Sequence, residues 1–255
     1  MENQNSTPLV NEEVKGTSRR NLLRNAVVGA AGVTGLAVAG GALFAKNSAH
    51  ASGGANCVTP IKDIFTIART AERLAVTFYT HGLNNADKLG ITGADRAYIR
   101  AALIEEQIHE LFFASAGGGY LASTFSFPEG PKTFEDLATF IATQQQLEGV
   151  FDSAFLAAVK EFGLQGRPDL SQIAAQVACI ESEHRALGRA IGGLIPADNW
   201  AFTPVLIGKV GDAPALVAKA GYLSPVNGNH FTYAQVPVGG GGVVYRSPYA
   251  VASCS

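Results

Sequence analysis

Four glutamates and two histidines fall where a helix would be expected to be apolar. Residues stepping by three or four positions form four stripes, and each stripe lines one face of a helix. The first reads Ile64, Ala68, Glu72, Ala75, Tyr79, and the second Ile99, Ala102, Glu106, His109, Phe113. The third reads Leu137, Ile141, Gln144, Glu148, Phe151, Phe155, and the fourth Ile173, Val177, Glu181, His184, Leu187, Ile191. A charge in the middle of such a stripe is costly unless something pairs with it. The interruptions match one another. Glu106 and His109 form Glu-x-x-His, and so do Glu181 and His184; the stripe before each pair carries a single Glu. The separations are 34 residues from Glu72 to Glu106 and 33 from Glu148 to Glu181. By composition alone about one His in twenty has a Glu three residues before it, so one pair would mean little. Two pairs, each preceded by a Glu at matched spacing, describe an internal repeat of carboxylate and imidazole donors, the material of a cation site.

The elements that must position these residues announce themselves at both ends. Start signals are Thr59 before Pro60, Thr92 before Asp95, Thr133 before Asp136 and Asp169 before Gln172. Stop signals are Gly82, Gly117-Gly118-Gly119, Gly163 and Gly192-Gly193. Helices are therefore predicted at 60–82, 93–116, 134–162 and 170–191. Short links join the first to the second and the third to the fourth, which suits antiparallel neighbours. The Gly- and Pro-rich stretch 117–133, if extended, reaches about 55 Å, enough to cross the length of a bundle. Residues 194–255 are rich in Pro, Gly, Val and aromatics. They read as an irregular tail packed on the bundle, with a short helix at Asp212–Ala220, because so short and Gly-rich a stretch cannot build its own core.

The doubled Glu / Glu-x-x-His unit and the two hairpins with one long crossover resemble the ferritin-like di-metal carboxylate family. The resemblance covers roughly residues 58–193. It implies an all-α, ferritin-like four-helix bundle holding two divalent metal ions, Fe or Mn. The implied ligands are Glu72, Glu106, His109, Glu148, Glu181 and His184, with Glu106 and Glu181 bridging and Glu72 and Glu148 terminal. Four carboxylates balance two divalent ions, and six O and N donors without thiolate favour Fe or Mn over Zn or Cu(I), although Cu and Zn also bind such donors. Around this set, Glu105 and Glu183 are expected as surface or supporting carboxylates. Gln144 is expected to be solvated rather than bonded near Glu148, and Tyr79 to be a packed aromatic rather than a group at the site. His81 and His230 are expected to be ordinary loop or surface histidines.

The N-terminus reads as an address. Arg19-Arg20 followed by Leu22-Leu23, a weakly apolar run from Ala26 to Phe44, and Ala49-His50-Ala51 before Ser52 resemble a twin-arginine (Tat) export signal. The expected division is a signal at 1–51, the bundle at 52–193 and the tail at 194–255, with the Tat machinery as partner and a periplasmic or extracellular destination. Export permits a disulfide. Cys57 and Cys254, which flank the mature part, are the expected pair, with free thiols as the alternative; Cys179 is expected as a small buried residue.

Of the 255 residues, 47% are hydrophobic and 16% charged, with a formal net charge of -2. That excludes a mostly disordered chain and a nucleic-acid binder working by general basicity, and no membrane association is expected after cleavage. An oligomer is compatible with the pattern. The tail, the export signal and the layout also resemble ferritin-like proteins associated with desiccation. The expected function is that of an exported di-metal protein, redox-active in iron or peroxide/oxygen handling, in the manner of a ferroxidase or a manganese catalase. Oxygen, peroxide or Fe(II) are the expected substrates. The alternative is a non-enzymatic stress or envelope protein whose metal pair is structural.

Overall fold

Four long helices carry the four stripes. The computed structural model describes residues 58–244 and Pro248; Arg19, Arg20, the cleavage point before Ser52, Cys57 and Cys254 lie outside the described residues. The long helices are α1 (Ile61–Asn84), α3 (Gly93–Ser115), α4 (Leu137–Leu164) and α5 (Pro168–Ile191). A one-turn α2 (Ala86–Leu89) sits in the first connection, and α6 (Ala213–Lys219) in the tail. The short connections pair α1 with α3 and α4 with α5, and these two pairs share the most extensive interfaces. The described chain is thus an all-α bundle of two helical hairpins joined by one long crossover. Among the described residues no helix is long and apolar enough to cross a membrane.

The helix ends differ from the predicted caps. Thr59 does not cap α1: its hydroxyl accepts from Gly211 N at 2.9 Å, and Pro60 occupies the cap position. Thr92 precedes α3 without a side-chain cap bond. Thr133 belongs to a 3-10 turn, Gly130–Phe134, and Asp136 caps α4 instead, accepting from Thr139 N at 2.8 Å. Asp169 lies inside α5, whose first residue is Pro168. Gly82 and Gly163 are helical; the turn after α4 is made by Gly166 at φ 68. Gly82 is required for another reason. A Cβ there would lie 2.6 Å from the Phe140 ring, so α1 and α4 close on each other at that point.

The crossover is held by the tail. Thr124–Phe125 (β1) pairs antiparallel with Phe231–Thr232 (β2), in the register Thr124↔Thr232 and Phe125↔Phe231. Phe127 and Phe134 then pack with Phe78 and Phe231, Phe134 also meets Phe140, and Phe78 stacks on Phe140 at 4.5 Å. Aromatic side chains carry much buried area with few rotatable bonds, which is how a Gly- and Pro-rich crossover becomes ordered. The tail is fixed by polar groups of α4 as well. Glu161 is buried and accepts from Thr59 N at 2.5 Å and Val210 N at 2.6 Å. Ser153 Oγ accepts from Leu206 N at 2.7 Å, and buried Tyr222 donates to Gln146 at 2.5 Å. Cys179 is exposed, contrary to the expectation: it lies on the outer face of α5, between buried Ala178 and buried Glu181.

Candidate metal centre

Each long helix delivers its donors to the bundle interior near its middle. Glu72, Glu106, Glu148, Glu181 and His184 are almost fully buried, and His109 is partly so. The periodicity explains this. Glu72 lies one turn from Ala68 and from Ala75, and Glu148 one turn from Gln144 and Phe151, so whatever buries the stripe buries its carboxylate.

The six side chains converge as two overlapping groups. Glu72, Glu106, His109 and Glu181 form one, and Glu106, Glu148, Glu181 and His184 the other; within each, the donor atoms lie within 4.8 Å of one another. Glu106 and Glu181 belong to both, and each splits its oxygens between them. Glu106 Oε2 is 3.7 Å from His109 Nδ1, while its Oε1 is 3.0 Å from His184 Nδ1. Glu181 Oε1 is 3.7 Å from His109 Nδ1, while its Oε2 is 3.8 Å from His184 Nδ1. Glu72 Oε2 lies 3.7 Å from His109 Nδ1, and Glu148 Oε1 lies 3.9 Å from His184 Nδ1.

These residues fit a metal. Bonds of about 2.1 Å to oxygen or nitrogen would place two donors on one six-coordinate ion about 3.0 to 4.2 Å apart, the range observed. Both oxygens of Glu72, Glu106 and Glu181, Oε2 of Glu148 and Nδ1 of both histidines are buried without a hydrogen-bond partner. Buried polar atoms are rarely left so, and here the unsatisfied atoms are the ones that face each other. The cluster can hold a metal ion.

The electrostatics show the same frustration. Burial, then the charge of Glu106, pushes the Glu72 carboxyl well above the ordinary carboxylate range. Burial, then the charge of Glu181, does the same to Glu148. Glu106 goes the other way. Burial opposes its charge, but the closeness of Glu72, His109 and His184 outweighs that and holds it low. For His184 burial favours the neutral ring, yet its bond to Glu105 and the nearby carboxylates of Glu106 and Glu181 raise it well above its ordinary value. Left to the protein's own charges, the four carboxyls resist being ionised together, and the resistance falls on Glu72 and Glu148.

A supporting layer orients the donors. His184 Nε2 lies 2.9 Å from Glu105 Oε2. A carboxylate only accepts, so Nε2 carries the hydrogen, and in the neutral ring that a metal requires Nδ1 presents its lone pair inward. Tyr79 donates to Glu148 Oε1. Gln144 Nε2 donates to the Tyr79 hydroxyl at 3.1 Å and to the His184 carbonyl at 2.7 Å, and Gln145 Nε2 donates to Gln144 Oε1 at 2.6 Å. Gln144 and Tyr79 thus depart from the expectation: both are buried polar contacts of the site. Each is on its glutamate's own stripe, Gln144 one turn before Glu148 and Tyr79 two turns after Glu72, which is the signal that could have assigned them. Gly188 admits Gln144, since a Cβ there would lie 2.1 Å from its Oε1. Glu105 is half-buried and Glu183 exposed, as expected. His81 is half-buried against Phe134 and Phe231, and His230 is exposed.

Asp152 lies one turn beyond Glu148. It is buried, accepts from the Ser182 hydroxyl at 3.2 Å, and is pushed up to about 7 by burial and by the charge of Glu181. Behind His109, Glu110 accepts from Arg69 and Arg73, both at 2.9 Å, and is held below its ordinary range: burial opposes its charge, and the two arginines overcome that.

A family model described as a ferritin-like domain matches residues 62–193, just over half of the chain and all six donors. No curated protein and no solved structure matches this chain.

Proposed function

The chain belongs to the ferritin-like domain family, and on that premise we propose that it binds two divalent ions, iron or manganese, and uses them in redox handling of Fe(II), peroxide or dioxygen. The observation that carries this reading is the doubling of the donor set around two shared carboxylates. Glu106 and Glu181 would bridge, Glu72 and His109 would complete one position, and Glu148 and His184 the other. When bound, such a pair supplies two adjacent redox centres of changeable valence that can share the electrons of one reaction.

The chain's own residues do the rest. Glu105 fixes the tautomer of His184, and the Tyr79 hydroxyl orients Glu148. Ile141, Leu147 and Phe151 exclude water from the α4 side, which strengthens every charge interaction inside. The two ends are unequal: the His109 side chain is 13% exposed and that of His184 1%, so small reactants would approach from the His109 side. We place the working protein outside the cytoplasm, as a folded cargo of the Tat machinery, on the strength of Arg19-Arg20 and Ala49-His50-Ala51. That route would let iron or manganese be loaded in the cytoplasm, where supply rather than affinity decides the metal. The layout resembles that of desiccation-associated ferritin-like proteins, and protection against oxidative stress suits both.

The test is metal content and turnover together. Protein isolated from its native envelope is expected to carry two ions of iron or manganese per chain, and to oxidise Fe(II) or consume peroxide. Glu106→Ala is expected to lose both the metal and the turnover. Zinc or copper instead would refute the assigned metals. A fully loaded protein with neither reaction would refute the redox role and leave the metal pair structural.

A further inference from the structure

Two apolar cavities share part of their walls, one on the flank of the bundle and one between its four long helices. The outer one, about 40 Å³, is walled by α1, α4 and the tail helix α6, including Ala71, Ala154 and Val217. The inner one, about 10 Å³, lies in the bundle and is walled partly by Phe113, one turn beyond His109. Ile64, Phe155 and Ala158 are walls of both. Ile64 and Phe155 belong to the same stripes as Glu72 and Glu148, two turns along each helix.

The chemistry of the lining restricts the occupant. The only hydroxyl in the outer wall, Thr70 Oγ1, donates to Thr66 O at 2.7 Å and accepts from Leu121 N at 2.9 Å. Nothing else in either wall offers a side-chain donor or acceptor. Water needs two to four polar partners to stay, so such a space is dry. At roughly 10–15 Å³ for one water-sized sphere, the outer cavity holds about three and the inner about one. A hydrogen-bonding reactant such as peroxide would be stripped of its partners there. A small, uncharged, non-hydrogen-bonding molecule would not.

We propose that these cavities form a binding site and supply route for dioxygen, which collects beneath the tail and passes by Ile64 and Phe155 to the His109 side of the metal centre. This rests on the redox reading above, and adds that dioxygen and peroxide reach the centre by different paths.

Crystals of the mature, metal-loaded protein pressurised with xenon test the site directly. Xenon is expected in the outer cavity, and is expected to vanish in Ala154→Leu, whose added atoms fill the space; Ala154→Val serves if leucine prevents folding. In rapid mixing of the Fe(II)-loaded protein, the filled variant is expected to oxidise iron several-fold more slowly with dioxygen, and at the wild-type rate with hydrogen peroxide. No xenon in the wild-type cavity, an unchanged dioxygen rate, or equal slowing with both oxidants would each overturn the proposal. Wild-type protein that oxidises Fe(II) with neither oxidant would overturn the redox reading and, with it, the supply route, while xenon still decides whether the cavity binds gas.

Discussion

Replacing the buried glutamates by glutamine one at a time is expected to move metal-free stability in opposite directions. At pH 8 the wild-type protein carries a cost at Glu72 and Glu148, since burial and neighbouring charge push both carboxyls well above 4.5. A carboxyl raised in the folded state adds stability that is complete below its unfolded value and is lost as pH rises through the folded one. Glu72→Gln and Glu148→Gln remove a charge that the fold resists, so both are expected to raise the metal-free melting temperature at pH 8. Burial opposes the charge of Glu106, but the closeness of Glu72, His109 and His184 outweighs that and holds it low. Its contribution is present above 4.5 and is lost as pH falls below that, so Glu106→Gln is expected to lower the metal-free melting temperature at pH 8. Every tenfold change in proton affinity is worth about 1.4 kcal/mol, or about 3–6 °C in a domain of this size.

All three variants remove a proposed ligand, so all three are expected to weaken metal binding. For the wild type, two ions each at a hundredfold excess over Kd would stabilise the fold by about 5 kcal/mol, or about 10–20 °C, which chelation should abolish. Towards pH 5 this gap is expected to narrow, because protons relieve Glu72 and Glu148 and compete with the metal. The assay is calorimetric melting of metal-loaded and chelated protein at pH 8 and pH 5. A wild-type melting temperature indifferent to chelation at pH 8, or three glutamine variants shifted in one direction when metal-free, would refute the charge distribution derived for the cluster.

Glu105→Ala is expected to weaken metal binding at the His184 position by about 10–100-fold, seen as one weakened phase of two in a Mn(II) titration followed by electron paramagnetic resonance. Gly188→Ala is expected to cost about 1–3 kcal/mol by overpacking, because its Cβ meets Gln144; the same thermal melts check it, and a neutral outcome would show that Gln144 has room to move. Asp152→Asn is expected to raise stability at pH 8 and to flatten its pH dependence between 3.8 and about 7, the interval over which the raised carboxyl loses its contribution as pH rises; an unchanged urea midpoint at pH 8 would contradict this. Lysine at both Arg19 and Arg20 is expected to leave uncleaved precursor in the cytoplasm, whereas wild-type protein should begin at Ser52 on N-terminal sequencing.

The helices were legible in the sequence because four stripes repeat with one period, and a stripe needs no partner to be read. Their caps were not. Thr59, Thr133 and Asp169 have the residue types of caps, but the chain uses them elsewhere: Thr59 receives Gly211 N from the tail, and Thr133 sits in a 3-10 turn. Cap chemistry is local, and a tertiary partner more than a hundred residues away outcompetes it without leaving a mark in the neighbouring sequence. Gly82 misled for the same reason. Its missing side chain makes room for Phe140 rather than ending α1.

At the site, charge inside an apolar stripe was the legible signal, and polarity without charge was not. Glu72, Glu106, Glu148 and Glu181 are conspicuous because burying an unpaired carboxylate is expensive. Gln144 and Tyr79 occupy the same stripes at the same spacing, but a neutral amide or phenol on a helix face costs little in water and so demands no explanation. Their burial becomes informative only once partners are in place: Tyr79 on Glu148, Gln144 on Tyr79 and on the His184 carbonyl. Asp152 lies one turn beyond Glu148, and its partner Ser182 is on another helix, out of reach of a reading of one stripe at a time. The rule that follows is specific. On a stripe that already holds a carboxylate donor, a polar residue one or two turns away belongs to the same buried network, because the packing that sequesters the donor sequesters it as well. Applied to α3 the rule points at Phe113 and Ala102, which are apolar, and at no further polar support for His109. That asymmetry is the one seen in exposure, with the His184 side closed by Glu105, Tyr79 and Gln144 and the His109 side left more open.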